Sequence, residues 1–261
     1  MGNFQSIGQL LGKIQTDPKR RKELLKNIDE GLKASNPDAC PVCRDSKFVH
    51  PQKDGKVDYS NVVPCECVRA EREEARRQNL IKFCELPPRG REMTFENFKL
   101  SPPLQEAYNA CLDLAEGRST RWITMMSKTG RGKTHLGIAV CNRWLAAGKP
   151  AKYANVTLLL DELRAAFSKD GDGSFQARYH IFLTVPLLML DDLGTENPTP
   201  WAQEHLYELI DYRLMHELPT IVTTNLTFPE INFRIAARLK RDGDIIYIDA
   251  AEYKKAKEAR R

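Results

Sequence analysis

The sequence predicts an α/β fold in which a parallel sheet is covered by helices on both faces. From about residue 91 onwards, short apolar runs alternate with segments of helical periodicity, as in repeated strand–helix units. One apolar run, 122–127, leads into a loop of small residues and then into a helical pattern. Another, 187–191, is apolar and then abruptly acidic, which is typical of a central strand that ends at a ligand site.

The chain's 261 residues allow one α/β domain of ordinary size and a smaller module before it. We expect the module at residues 1–86 and the larger domain at 87–261, with a proline-rich linker between them. No apolar run approaches the roughly 20 residues that cross a bilayer, so we expect a cytoplasmic protein with no membrane contact. The net charge of +5 is a mild bias towards acidic partners such as nucleic acid.

Before residue 87, the sequence predicts two short amphipathic helices, a loop-rich module and a charged helix. Apolar residues recur at helical spacing in two runs within residues 1–35. These helices are too short to bury a core, so they must dock on the rest of the chain or on a partner. Residues 36–67 are rich in turn signals, and residues 68–85 form the charged helix.

After the linker, strands and helices are predicted in alternation. The predicted strands are 122–127, 151–155, 187–191, 219–224 and 245–249. The predicted helices are 107–114, 133–147, 156–168, 201–216 and 229–241. Gly148 suits the position after a helix C-terminus, while Thr199 and Pro200 suit the start of the next long helix.

The loop after strand 122–127 has the composition of a phosphate-binding loop. Its backbone N–H groups and the helix N-terminus that follows favour a bound phosphate. We expect Lys133 to reach the β- and γ-phosphates of a nucleotide and the Thr134 hydroxyl to bind Mg²⁺. The chain departs from the G-x-x-x-x-G-K-[ST] pattern in having Ser127 at its first position. The residues assigned to nucleotide binding are Ser127, Lys128, Thr129, Gly130, Arg131, Gly132, Lys133, Thr134 and His135.

Polar residues at the ends of two strands complete the predicted nucleotide site. Asp191 is the candidate for the Mg²⁺ shell, and Asp192 is the candidate for activating the attacking water. Asn225, at the tip of the next strand, is expected to bond the γ-phosphate or that water, unless it only stabilises a turn. Arg234 and Arg238 lie one helical turn apart and could supply positive charge for phosphoryl transfer.

Four of the seven cysteines form two close pairs, Cys40 with Cys43 and Cys65 with Cys67. In a cytosolic chain such pairs indicate metal ligands rather than disulfides. Four thiolates favour Zn²⁺ in a closed structural site. His50 is a less suitable ligand because it lies far from both pairs in the sequence.

The motifs Ser-Lys-Thr-Gly-Arg-Gly-Lys-Thr-His-Leu, Leu-Met-Leu-Asp-Asp-Leu-Gly and Thr-Thr-Asn occur in this order. Together they resemble the DnaC/DnaI helicase loaders and the related IstB transposition ATPases, a branch of the AAA+ class of P-loop NTPases. The resemblance covers about residues 91–250 and includes the segment 94–98. A cysteine-bearing N-terminal domain is similar to that of the DnaI-type loaders.

The resemblance implies a role for each matched residue. They are Lys133 and Thr134 (Walker A), Asp191 and Asp192 (Walker B), Asn225 (sensor 1), Arg238 (arginine finger between subunits) and Lys254 (sensor 2). The implied protein uses ATP and Mg²⁺ and lacks the helical lid of larger AAA+ proteins.

The implied function is the ATP-dependent loading of a replicative hexameric helicase onto DNA. Expected partners are that helicase, single-stranded DNA, and further copies of the chain in a ring or spiral. One alternative is an IstB-type transposition helper ATPase, which shares the core motifs. Another is a zinc-anchored DNA-binding adaptor with a vestigial ATP site, against which the intact Lys133, Thr134 and Asp191 argue.

Overall fold

The computed structural model describes residues 39–168, 174–196, 199–241 and 243–252. The helices expected within residues 1–35 and the candidate Lys254 lie outside these ranges. The chain divides into two compact units, residues 1–74 and 75–261. Within the described ranges, no helix combines the length and the hydropathy needed to cross a membrane.

The described part of the first unit is built from two short antiparallel ribbons. Strand β1 (Phe48–Val49) pairs with β4 (Val63–Pro64), and β2 (Gln52–Lys53) pairs with β3 (Lys56–Val57). Asp54 and Gly55 connect β2 to β3 with φ of 52° and 74°, as a tight hairpin turn requires. Helix α1 (Glu66–Cys84) begins in this unit and ends in the second.

The second unit contains a five-stranded parallel sheet in the order β6-β7-β8-β5-β9. The strands are β5 (Trp122–Met126), β6 (Ala151–Asn155), β7 (Leu187–Leu193), β8 (Thr220–Thr224) and β9 (Gly243–Tyr247). All five correspond to predicted strands, with ends that differ by up to two residues. The strand after the phosphate-binding loop, β6, lies at an edge, while β5 lies between β8 and β9.

Helices pack on both faces of this sheet, which confirms the predicted three-layer fold. The helices are α2 (Gln105–Ala115), α3 (Lys133–Ala146), α4 (Val156–Ser168), α5 (Ser174–Thr184), α6 (Pro200–Met215) and α7 (Phe233–Leu239). Side chains alternate along β5, so Ile123 and Met125 pack in the cluster that contains α2 and α3. Trp122 and Met126 pack in the opposite cluster with α4 to α7.

The observed helices differ from the prediction in two places. Helix α5 was not predicted, and it begins directly after a polar, glycine-containing stretch that breaks the helical pattern. The helix expected at 229–241 is shorter, because Pro229 lies in a separate 3₁₀ turn, Phe228–Glu230. Asn232 then caps α7 by accepting a hydrogen bond from the backbone N–H of Arg234.

The predicted helix ends are confirmed at Gly148 and Thr199. Gly148 has a φ of +70° directly after the α3 terminus, where a residue without Cβ avoids strain. The Thr199 hydroxyl accepts a hydrogen bond from the backbone N–H of Ala202, and Pro200 is the first residue of α6. These caps fix where α3 ends and α6 begins.

A fully buried arginine connects α6 to the sheet. Arg213 donates from Nε to the Thr220 hydroxyl (2.9 Å) and from Nη2 to the Pro219 carbonyl (2.8 Å). Its Nη1 donates to the carbonyls of Val185 (2.8 Å) and Phe182 (3.0 Å). The side chain thus joins α6 to the end of α5, to the connection that follows α5 and to the start of β8. Carbonyl and hydroxyl oxygens satisfy its buried N–H groups.

We expect Arg213→Met to lower the free energy of unfolding by about 3 kcal/mol, because it leaves several buried carbonyls without a donor. Urea denaturation followed by circular dichroism measures the change. The control is Arg178→Met, since Arg178 forms an exposed ion pair with Glu162 and its loss should change stability by about 0.5 kcal/mol or less. Equal losses in the two variants would contradict the role of Arg213.

Candidate nucleotide site and cysteine cluster

The loop between β5 and α3 has a backbone that requires glycine at two positions. Gly130 and Gly132 have φ of +78° and +92°, and Gly132 directly precedes the first turn of α3. A Cβ on Gly132 would lie 3.0 Å from the Phe98 ring, and one on Gly130 would lie 2.9 Å from Cγ of Glu252. The positive φ therefore disfavours a side chain at both positions, and the Phe98 ring adds close packing at Gly132.

The Lys133 ammonium lies inside this loop and is almost fully buried. Its Nζ donates to the carbonyls of Ser127 (2.8 Å) and Lys128 (3.1 Å), and it contacts the Ser127 hydroxyl at 3.0 Å. It also donates to Oδ1 of Asn225 at 2.9 Å. Burial lowers the pKa of Lys133, while the charges of Asp192 and Asp191 oppose that shift. Ser127 thus occupies the first loop position and contacts the lysine through both of its oxygens.

The Asp191 carboxylate is buried and accepts hydrogen bonds from three hydroxyl groups. Oδ1 accepts from Thr223 at 2.6 Å and from Thr134 at 2.9 Å. Oδ2 accepts from the Tyr153 hydroxyl at 2.9 Å. Burial raises the pKa of Asp191, and the three hydrogen bonds act in the opposite direction because they stabilise the charged form.

Asp192 and Asn225 lie beside this carboxylate at the same edge of the sheet. The β7–β8 register shifts between Leu190 and Leu193, which is the irregularity of a β-bulge, and Asp192 adopts a φ of +60° within it. The Asn225 Nδ2 donates to Oδ1 of Asp192 at 3.1 Å. The Oδ1 of Asn225 accepts a hydrogen bond from Lys133, so Asn225 connects the lysine to the acidic end of β7.

The oxygen atoms of Thr134 and Asp191 fit a magnesium ion. The Thr134 hydroxyl and Asp191 Oδ1 are 2.9 Å apart. Two adjacent ligands of an octahedral Mg²⁺, each at about 2.1 Å, are separated by about 3.0 Å. Hydroxyl and carboxylate oxygens are also the hard ligands that this ion prefers. These two side chains are therefore able to hold a nucleotide-bound Mg²⁺.

The other residues assigned to the site have different surroundings. Thr129 is exposed, while Arg131 is half-buried and its Nε has no hydrogen-bond partner among the described residues. The His135 ring is hydrogen-bonded through Nε2 to the Thr94 carbonyl (2.8 Å) and packs edge-on against Phe98. His135 therefore joins α3 to the segment 94–98.

Arg238 lies on α7 and is paired within its own chain. Its Nε donates to Oδ1 of Asp211 at 2.6 Å, and its Nη2 donates to the Tyr207 hydroxyl at 2.5 Å. The hydrogen bond to Asp211 raises the pKa of Arg238, so the guanidinium is charged at any pH of interest. The partners of Arg238 thus belong to α6.

The four paired cysteines converge in the first unit. The sulfurs of Cys40, Cys43, Cys65 and Cys67 all lie within 4.8 Å of one another. The Sγ–Sγ distances are 3.9 Å for Cys40 and Cys65 and 3.4 Å for Cys43 and Cys67. Tetrahedral Zn²⁺ with bonds of about 2.3 Å separates its sulfurs by about 3.8 Å, so the cluster fits this ion. His50 is outside the cluster and is hydrogen-bonded to the Asn61 carbonyl.

A five-stranded parallel sheet with a glycine loop, a buried lysine and a strand-end carboxylate defines a P-loop nucleotide-binding protein. The family model described as "IstB-like ATP binding protein" matches residues 54–236. The chain belongs to this family, and membership supports ATP binding.

Two relatives with curated descriptions differ in their roles. A putative ATP-binding protein of insertion sequence IS5376 from Geobacillus stearothermophilus is 29% identical over 59% of this chain and 59% of its own length. The replicative helicase loader DnaC of Escherichia coli K12 is 26% identical over 43% of this chain and 45% of its own length. The chain thus spans only about half of these relatives.

A solved structure has the same fold. It is the replication initiator DnaA bound to AMPPCP and single-stranded DNA, with a TM-score of 0.58 and 21% identity. The similarity covers 67% of this chain and 56% of DnaA.

Sequence reasoning missed two hydroxyl groups that contact Asp191. Thr223 lies on β8, two residues before Asn225, and the polar end of that strand is a signal that could have identified it. Tyr153 lies on β6, whose pairing with β7 places Asn155 opposite Asp191. No local pattern marks Tyr153, because its contact depends on the order of strands in the sheet.

We expect Tyr153→Phe to weaken Mg²⁺-dependent ATP binding about fivefold, because Asp191 loses one of its three hydrogen bonds, worth about 1 kcal/mol. Titration with a fluorescent ATP analogue, with and without Mg²⁺, measures the effect. The matched control is Tyr212→Phe, since the Tyr212 ring packs on His216 and its hydroxyl is not one of the three donors to Asp191. Equal affinities for wild type and Tyr153→Phe would contradict this role.

We expect elemental analysis of the purified chain to find about one zinc per molecule, because four thiolates satisfy the tetrahedral coordination of Zn²⁺. Cys43→Ser should lose the metal and lower the thermal stability of the first unit. Cys111→Ser is the control for thiol content, since Cys111 is buried in the core beside Met125. A metal-free wild type with four reactive thiols would rule out the zinc assignment.

Proposed function

We propose that this protein is an ATP-dependent loader of a replicative hexameric helicase. Nucleotide binding is supported by one hydrogen-bonded group at two strand ends: Lys133 is joined to Asn225, Asn225 to Asp192, and Asp192 through Thr223 to Asp191. The loader role is supported by the four-cysteine module before the ATPase core, which resembles that of DnaI-type loaders. The similarity to DnaC is a second support.

The residues of the site divide the chemistry of ATP hydrolysis among them. Lys133 binds the β- and γ-phosphates in place of the carbonyls and amide that it contacts here. Asp192 orients the attacking water and accepts its proton, and Asn225 holds Asp192 through Nδ2. Thr134 and Asp191 would hold Mg²⁺, which neutralises charge on the phosphates.

Assembly supplies the last charged group. Arg238 of one copy reaches the γ-phosphate held by the next, so that ATP favours a ring or an open spiral. Single-stranded DNA binds this assembly through basic loops. The helices expected within residues 1–35 and the cysteine module contact the helicase.

A second candidate is supported by a specific observation. The IS5376 protein is 29% identical to this chain and DnaC is 26% identical, so the sequence relationship alone favours a transposition helper as much as a loader. In that case the same ATPase core acts with a transposase. The cysteine module is the feature that favours the loader.

We expect the full-length chain with ATP to co-purify with a replicative hexameric helicase and not with a transposase of the IS21 type. Lys133→Ala should bind ATP at least tenfold more weakly and lose turnover, because its ammonium is the main cation inside the loop. Lys149→Ala is the control, since Lys149 packs over the Trp144 ring.

Two outcomes would contradict the proposal separately. Capture of the transposase alone would replace the loader by the transposition helper. Wild-type turnover in Lys133→Ala would refute the phosphate-binding assignment itself.

A further inference from the structure

Two hydrogen bonds hold one edge of the Arg238 guanidinium, which also lies beside an aromatic ring. Asp211 accepts from Nε at 2.6 Å, and the Tyr207 hydroxyl accepts from Nη2 at 2.5 Å. The Tyr207 ring also lies 4.9 Å from the Arg238 guanidinium carbon. All three contacts come from α6, and they fix the plane of the guanidinium relative to that helix.

The opposite edge of the same guanidinium remains available. Among the described residues, no hydrogen bond uses Nη1, and only one bond uses Nη2. These two nitrogens form the planar fork that binds phosphate through two parallel hydrogen bonds. The Arg238 side chain is 29% exposed, so a group from outside the chain can reach the fork.

Arg234, one turn earlier on α7, is held differently. Its guanidinium carbon lies 4.0 Å from the centre of the Tyr207 ring, and its backbone N–H donates to Asn232. Within the described ranges, the Arg234 side chain has no hydrogen bond or ion pair. Arg234 and Arg238 have equivalent places in the sequence pattern, and Arg238 is the one of the two that forms an ion pair with Asp211.

We infer that Asp211 and Tyr207 are positioning residues, which hold Arg238 with its Nη1–Nη2 fork ready for a phosphate of the ATP bound by a neighbouring copy. The inference rests on the proposed function, because it uses the assignment of Arg238 as the group supplied between subunits. A free arginine side chain loses rotamer entropy when it is held in one geometry, and contacts formed beforehand reduce what is lost when the phosphate binds.

A mixture of two full-length variants tests this inference. Lys133→Ala supplies Arg238 but binds ATP weakly and does not turn it over, and Arg238→Ala binds ATP but supplies no arginine. Neither variant alone should hydrolyse ATP, and an equimolar mixture should regain turnover. Asp211→Ala is then added to the Lys133→Ala chain, so that the substituted chain contributes only its arginine.

The expected result is a fall in kcat of about tenfold, with KM for ATP unchanged, because the site that binds ATP is unaltered and only the arginine is misplaced. Tyr207→Phe on the same chain should lower kcat about threefold. The matched control is Asp113→Ala, which removes the exposed ion pair with Arg118 and should leave kcat unchanged.

The outcomes separate the inference from the function on which it rests. A mixture without regained turnover would refute the transfer of Arg238 between subunits, and the inference with it. Regained turnover that Asp211→Ala does not lower would overturn the inference alone. An equal loss when Asp211→Ala is placed on the Arg238→Ala chain would also overturn it, since that chain has no Arg238 to hold.

Discussion

The buried carboxylate of Asp191 is the constraint on which the arrangement of the nucleotide site depends. A buried charge is costly unless hydrogen bonds compensate for the lost water. Here the compensation comes from Thr134 on α3, Tyr153 on β6 and Thr223 on β8. Each donor belongs to a different element. The carboxylate therefore has all three hydrogen bonds only when α3, β6, β7 and β8 are in place. The fold and the site therefore require the same set of contacts.

Asp191 and Asp192 are adjacent at this edge of the sheet, but their side chains have different surroundings. Asp191 points among hydroxyl groups and is buried, whereas Asp192 follows in a bulge with a positive φ and is held by Asn225. The bulge directs adjacent carboxylates into different surroundings. This difference is what the proposed roles require, with Asp191 binding the metal and Asp192 activating the water.

Most of the architecture could be predicted because its signals are local. The loop glycines, the apolar-to-acidic strand and the helix caps at Gly148 and Thr199 each appear within a few residues of sequence. The convergence of Cys40 and Cys43 with Cys65 and Cys67 followed from their spacing in the same way. The roles of the individual site residues remain predictions that the biochemistry must test.

The parts that sequence reasoning missed depend on distant pairings. Tyr153 contacts Asp191 because β6 pairs with β7 in a parallel sheet, and no motif encodes that neighbour. Helix α5 was missed because glycines and aspartates before it interrupt the periodic pattern. Asp211 and Tyr207 have no signal of their own, since their importance arises only from the helix packed beside them.

Helix α6 carries Arg213 at its C-terminal end and both partners of Arg238 in the turns before it. Arg213 fastens this helix to the connection between α5 and β7 and to the beginning of β8. A movement of α6 relative to the sheet must therefore break the buried hydrogen bonds of Arg213. In the proposed assembly, we therefore expect each sheet to move as one unit with the arginine that it offers to its neighbour.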